Sequence, residues 1–403
     1  MMQKVPDKIN EFLRLAEQHI PYLSKWYLDT PALVTPERFA ALKKLQETLY
    51  TALCYFVAHA DEYDAIFPLT FKVRRILEVC RPYPYRPGTY RPDFLIDETG
   101  QLRLCEIGAR FPLNGYFLSG IAECIGARKF GYLPPPEEWQ YAHFLNHLFA
   151  YWGAFDELYV LKGADHPCDI KYYIPYFEAL GICIHQLSPE ELARQPLPLE
   201  NVALVNEFNQ MEIERLPLPA VQAIASARGL NDMRSIFLIH DKRFLAVLSD
   251  PSFQRACLSQ AEIEALTPYL IPTYTRTQRR DLWEEAYHRQ EDWVIKHSRL
   301  GKSEKVYAGC VTSREKWQTL FVEPGIEEMV LQPFIRQRKI HSAIGGSVYH
   351  DFAVGTLLCF DEDFFGPGLF RTSSFEITNR LDDRKMAPCF TDRLPSINDL
   401  FIL

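Results

Sequence analysis

At 403 residues, 47% apolar and 24% charged, the chain is long enough for two or three subdomains with sizeable cores, and its composition is not that of a disordered protein. A formal net charge of −8 leaves no basic footprint for nucleic acid or an anionic membrane. The opening MMQKVPDKINEFLRLAEQHI has no apolar signal core, and no stretch approaches the ~20 apolar residues of a membrane span, so the expected location is cytoplasmic.

From about residue 7 to 80 the apolar residues recur at helical spacing, as Ile9, Phe12, Leu13 and Ala16 and then as Phe39, Leu42, Leu45 and Leu49. This predicts a helical region over 1–85. The proline-rich RPYPYRPGTYRP, 81–92, ends any helix and leads extended chain into RPDFLIDETGQLRLCEIGAR, 91–110. There, two strand-like runs flank DETG, a plausible hairpin turn. A two-residue turn at Thr99-Gly100 sets Asp93 opposite Glu106 and Arg91 opposite Gly108; a three-residue loop ending in a left-handed Gly100 shifts that register by one. Alternation gives Arg91, Asp93, Glu106 and Gly108 one face and Phe94, Ile96 and Ile107 the other. Two facing carboxylates need a compensating cation or a raised pKa, unless the hairpin simply faces water. Magnesium is the natural cation, because it takes a few carboxylate oxygens and completes its shell with phosphate and water.

Further along, a helix signal follows YLPPPEEW and continues through Trp152. ELYVLKG, DIKYYIPYFEALG and ICIHQLS then read as strand, helix, strand; NVALVNEF adds a strand and LPLPAVQAIASARG a helix. These divide the chain into a hairpin segment, 86–154, a small α/β subdomain, 155–235, and a final region, 236–403. The last contains IEALTPYLIPTYTR, the polar helix QRRDLWEEAYHRQ and four strand candidates, DWVIKHS, VYAGCV, MVLQPFI and YHDFAVGTLLCF. The fold class is α/β, or α+β in the sense of mixed sheets.

Several segments carry chemistry. In WVIKHSRLGKSEKVYAG a strand ends at Lys296, and a basic loop with Gly301, Lys302 and Ser303 is suited to phosphate oxygens. LGKS mimics the end of a P-loop, but Lys296 stands where that motif needs its first glycine. Lys242 heads the apolar run in HDKRFLAVLSD, where a lysine opposes the helix dipole and invites an anion. MVLQPFI offers Gln332, Phe334 and Ile335 beside an adenine ring, and GLFRTSSFEITN gathers Arg371, Thr372, Ser373, Thr378 and Asn379 for a carboxylate or phosphate. For each of these, a core strand or a solvated polar turn is the simpler reading. HFLNH lacks the glutamate of a zinc-protease helix, and neither GxSxG nor GxGxxG is present. Ten cysteines without a CxxC pair read as reduced core thiols.

Taken in order, these segments resemble the circularly permuted ATP-grasp superfamily, which includes glutathionylspermidine synthetase and eukaryotic glutathione synthetase. Its pattern R-x-D, hairpin, E-x-N is similar to Arg91-Pro92-Asp93 and Glu106-Ile107-Gly108, with Gly108 standing where the family usually has a metal-binding asparagine. Lys242 and Lys296 resemble its two nucleotide-binding lysines, RLGKSEKVYAG its phosphate-covering loop, MVLQPFI its adenine-binding hinge and FRTSSFEITN its late arginine segment; the loop has fewer glycines and more charge than usual. The resemblance spans roughly 85–380.

It implies a permuted ATP-grasp core and an ADP-forming ligase that uses ATP and Mg²⁺: a small-molecule carboxylate becomes an acylphosphate, and an amine converts it to an amide. Asp93 and Glu106 would hold the metal, Lys242, Lys296, Gly301, Lys302, Ser303, Gln332, Phe334 and Ile335 the nucleotide, while Arg91 and Arg371 would serve the acylphosphate and the acceptor. The alternatives are a nucleotide-binding regulatory or scaffold protein with reduced catalysis, and a phosphotransferase. Substrate identity and oligomeric state are left open.

Overall fold

The computed structural model describes residues 13–14, 17–18, 24–165, 169–195, 199–378, 382–392 and 401–402. Ile9, Phe12 and Ala16 fall outside them. A short strand, β1 (Ala32–Val34), precedes the long helix α1 (Pro36–His59). The helix starts where the sequence permits it: Pro36 occupies the first turn and the Thr35 hydroxyl accepts the Arg38 N–H at 3.2 Å. Phe39, Leu42, Leu45 and Leu49 form its buried stripe. Helix α2 (Phe71–Cys80) follows, and then the hairpin β2 (Thr89–Ile96) and β3 (Leu102–Gly108).

Helices α3 (Tyr116–Ile125) and α4 (Tyr141–Trp152) lead into a parallel unit: β4 (Glu157–Leu161), α5 (Ile170–Ala179), β5 (Cys183–Leu187), α6 (Pro189–Arg194) and β6 (Ala203–Asn206). It ends with α7 (Gln210–Arg215), α8 (Leu218–Ser226) and β7 (Arg228–Gly229). The strand order is β5-β4-β6-β7, so the chain leaves β4 in one direction, returns over it, and continues on the other side. One face of this sheet packs Leu158 and Val160 with Trp152, Tyr173 and Phe177; the other packs Leu161 and Leu204 with Val73, Ile76 and Val221.

Short helices α9 (Arg243–Leu248), α10 (Pro251–Cys257), α11 (Gln260–Leu266) and α12 (Arg280–His288) connect to β8 (Trp293–His297) and β9 (Val306–Ala308). After α13 (Arg314–Leu320), β10 (Met329–Pro333) completes an antiparallel sheet of order β10-β8-β9 over a core that includes Trp283, Trp293 and Trp317. The remaining strands are β11 (Ile340–Ile344), β12 (Ser347–Phe360), β13 (Asp363–Pro367), β14 (Phe370–Ser373), β15 (Arg384–Met386), β16 (Pro388–Phe390) and β17 (Phe401–Ile402).

β12 is the spine. The principal sheet runs β15-β14-β12-β2-β3, with β11 and β13 also paired to β12. Phe94, Ile96 and Ile107 point from the hairpin into a core shared with Leu45, Leu49 and Leu248. β1, inside a region whose pattern predicts only helix, lies parallel between β16 and β17. Three residues are too few for strand alternation to register against the helical pattern around them.

The cysteines are free where described, but Cys183 and Cys310 are exposed rather than in the core, and Cys168 is outside the described residues. Among the described residues no helix is long and apolar enough to cross a membrane.

Gly88 joins the principal sheet to the parallel unit. Its φ is +73°, and a Cβ there would lie 1.5 Å from the Leu230 carbonyl oxygen, while the next residue, Thr89, donates its N–H to that oxygen at 3.0 Å. Gly88→Ala is therefore expected to destabilise the protein by about 2 kcal/mol or more, read as a lower urea midpoint at unchanged slope. A midpoint within error of the parent would show that this junction yields at little cost.

Candidate functional site

The hairpin sets the geometry. Its loop is the three-residue alternative: Asp97 donates its N–H to the Gln101 carbonyl at 3.0 Å, and Gly100 is left-handed at φ +86°. That loop alone would put Asp93 out of register with Glu106. An irregularity at Cys105 absorbs one residue, so that Asp93 faces Glu106 and Arg91 faces Gly108 after all. The opposition expected from a two-residue turn is thus reached by a different route.

Each carboxylate is met by a side-chain cation. Arg371 on β14 donates from Nη2 to Asp93 Oδ2 at 2.7 Å, and Asp93 is fully buried. β12 lies between them in the sheet, since Val354 pairs with Leu95 on one side and Arg371 on the other. Lys242, just ahead of α9 and also buried, places Nζ 3.3 Å from Glu106 Oε2 and donates to the Leu300 carbonyl at 2.7 Å. Its backbone N–H bonds the Ser298 carbonyl at 2.8 Å, so the 298–300 segment is held to Lys242 twice.

Burial would raise the Glu106 carboxyl; Lys242 first, then Lys296 and Arg371, outweigh it and bring it down to about 2. His240 is kept neutral by burial and by Arg110 and Lys242, at about 3, and its Nδ1 accepts the Ala109 N–H at 3.4 Å.

Above the hairpin lies a cleft of about 110 Å³ between the principal sheet and β8–β10. Glu106, Lys296, Lys302 and Arg371 line its charged end. Ile271, Val294, Val306 and Val354 form apolar walls, with Ser303, Gln332, Phe334 and Ile335 also on the lining. Gln332 gives one amide N–H to the Thr273 hydroxyl, 2.8 Å, and the Phe334 N–H is taken by the Asp292 carbonyl at 2.7 Å, so that backbone donor is engaged within the protein.

The loop between β8 and β9 covers the cleft. Lys302, Ser303 and Lys305 have φ of +54°, +60° and +50°, a region that non-glycine residues occupy at roughly 1–3 kcal/mol each. Ser303 Oγ donates to the Thr378 carbonyl at 2.7 Å and latches the loop to the far wall. Gly301 does not line the cleft and has open space around it. Since ligand pockets usually span about 300–1,000 Å³, a nucleotide-sized guest requires this loop to lift.

Arg91 points elsewhere. Its guanidinium covers Gly108, with Nη2 3.3 Å from where a Cβ would sit, and reaches Gly115 at the start of α3. Asn379 is outside the described residues.

A neighbouring polar cluster was not marked by any motif. Where the chain reverses direction between β4 and β6, the carboxyl ends of those strands present Lys162 and Glu207, 3.1 Å apart, with Glu207 fully buried and its carboxyl raised by burial. Arg110 pairs with Asp165 at 2.6 Å beside them, and Lys302 lies over Phe111, 5.7 Å from the ring centre. Open α/β sheets bind ligands at this kind of reversal. The strands were legible, but their order was not.

The family described as the AnkG N-terminal domain matches residues 45–238, under half of the chain. No curated protein matches. Among solved structures, a glutathione synthetase-like effector from Globodera pallida in its apo form superimposes with a TM-score of 0.55 over 91% of this chain and 90% of that one, at 10% identity. A likeness at that identity shows a shared fold.

The depressed Glu106 carboxyl has a pH consequence. A group held at about 2 against its ordinary 4.5 lends stability that is complete above 4.5 and is lost as pH falls toward 2. Glu106→Gln is expected to be less stable than the parent at pH 7, and urea midpoints of the two should converge between pH 4.5 and 2. Parallel midpoints over that window would show that Glu106 is not so paired.

Proposed function

We propose that the cleft binds ATP and that the protein joins a small-molecule carboxylate to an amine at the expense of its γ-phosphate. One observation carries this: an apolar slot ends at Lys296, Lys302 and Arg371, with Lys242 behind Glu106, inside a fold shared with a glutathione synthetase-like protein. The apolar walls accept the base, and the cations meet the phosphates. Phosphoryl transfer depends chiefly on positioning and charge neutralisation, and these side chains supply both.

In this reading a substrate carboxylate oxygen attacks the γ-phosphorus and ADP leaves. An amine then attacks the acylphosphate carbonyl, expelling phosphate and giving the amide. The polar cluster at Lys162 and Glu207 receives one of the two substrates, and Lys302 lies between that cluster and the cleft. The covering loop excludes water from the acylphosphate once it closes.

A second reading, nucleotide binding with little turnover, is favoured by the salt bridges that already occupy Asp93 and Glu106. ADP release on addition of paired carboxylates and amines separates the two readings. A product carrying phosphate rather than two joined substrates would instead show a phosphotransferase.

Lys296→Ala is expected to weaken ATP binding at least tenfold, about 1.4 kcal/mol, in a calorimetric titration with the fold retained by circular dichroism. Unchanged affinity would remove Lys296 from the phosphate contacts and with it the orientation proposed for the nucleotide.

A further inference from the structure

We propose that this cleft takes its nucleotide without a divalent cation, the Lys242 ammonium and the Arg371 guanidinium serving as its built-in counterions; the inference rests on the nucleotide reading above. It departs from the magnesium expected at Asp93 and Glu106.

The donor set is the first ground. Magnesium requires about six oxygens in near-octahedral array and keeps several of its waters. Asp93 gives one oxygen to Arg371 at 2.7 Å, and the other is shut off from solvent and has no hydrogen-bond partner. A hydrated ion cannot reach it. Glu106 Oε2 is 3.3 Å from Lys242 Nζ, so a dication would have to approach alongside a fixed positive charge.

The surroundings add no further ligand. On the hairpin, Gly108 has no side chain, and the Arg91 guanidinium lies over the space one would fill. From the loop, the residue that reaches this spot is Leu300, whose side chain is apolar and whose carbonyl is held by Lys242 at 2.7 Å. Among the described residues no group of three or more His, Cys, Asp or Glu side chains is placed to hold a metal ion.

Charge is the second ground. A metal's usual service to a triphosphate is to neutralise it. Lys242, Lys296, Lys302 and Arg371 outnumber Asp93, Glu106 and Glu376 by one, so the site attracts a free, fully charged triphosphate more strongly than its magnesium complex. The same cations make a resident dication unnecessary for binding.

Calorimetric titration of the full chain with ATP, once in excess EDTA and once in Mg²⁺, tests this. The expected result is a dissociation constant in EDTA equal to or smaller than that in Mg²⁺. Binding at least tenfold weaker in EDTA would overturn the inference while leaving the nucleotide reading intact. No binding in either buffer would overturn the nucleotide reading, and the inference with it.

Mn²⁺ paramagnetic resonance gives a second readout that does not depend on turnover. The parent protein is expected to deplete the free Mn²⁺ signal no further than ATP alone does; additional depletion overturns the inference. L300E, alone and combined with Gly108→Asn, would place new oxygen ligands beside Glu106. Either variant, if folded by circular dichroism, is expected to bind ATP at least tenfold more tightly with Mn²⁺ than in EDTA. Folded variants that bind ATP and remain indifferent to Mn²⁺ would overturn the assignment of these two positions as the cause.

Discussion

Two carboxylates that face each other across a strand pair, one of them fully buried, need positive charge brought to them, and here that charge comes from distant parts of the chain. Asp93 and Glu106 are neighbours in the hairpin, while Arg371 and Lys242 belong to segments that join it only in the folded state. The principal sheet places β14 two strands from β2, and the loop after β8 is tied to Lys242 through Ser298 and Leu300. Sheet, cleft and loop thus meet at one small set of charges. Removing Arg371 would leave Asp93 buried and unpaired, which costs more than the pair itself is worth.

The covering loop carries the opposite kind of constraint. Its base is tied to Lys242 through Ser298 and Leu300, while its tip is strained at three left-handed non-glycine residues and latched by one hydroxyl. Lifting the tip alone costs that part-buried hydrogen bond, worth about 0.5–1.5 kcal/mol. A glycine-rich loop would reach the same positions without strain, so charge and strain here replace the flexibility that glycine gives.

Much of the site could be read from the sequence, because the signals are local. Alternation in 91–110 put Asp93 and Glu106 on one face, and Phe94, Ile96 and Ile107 on the other, which the structure buries. Strand ends marked Lys296, and an apolar run marked Lys242. What could not be read was pairing between distant segments. No spacing rule ties Arg371 to Asp93 across 278 positions, or Leu300 to Lys242. Strand order is equally invisible, and Lys162 and Glu207 became a site only once β4 and β6 lay side by side. The irregularity at Cys105 cancels the shift made by the three-residue loop, so a correct pairing did not depend on a correct turn.

β12 also governs how the molecule comes to exist. Its partner β2 leaves the ribosome more than 250 residues earlier, with Val354 to meet Leu95 and Phe360 to meet Thr89. Until then the hairpin has an open hydrogen-bonding edge and an unshielded apolar side, the state in which nascent sheets join the wrong neighbour. One face of the parallel unit made between them shares its core with Leu358, Phe360 and Phe365, so that face waits as well. Assembly of the principal sheet is therefore split in time: the hairpin must wait until β12 has been made, and it is this waiting half that a holdase chaperone would guard.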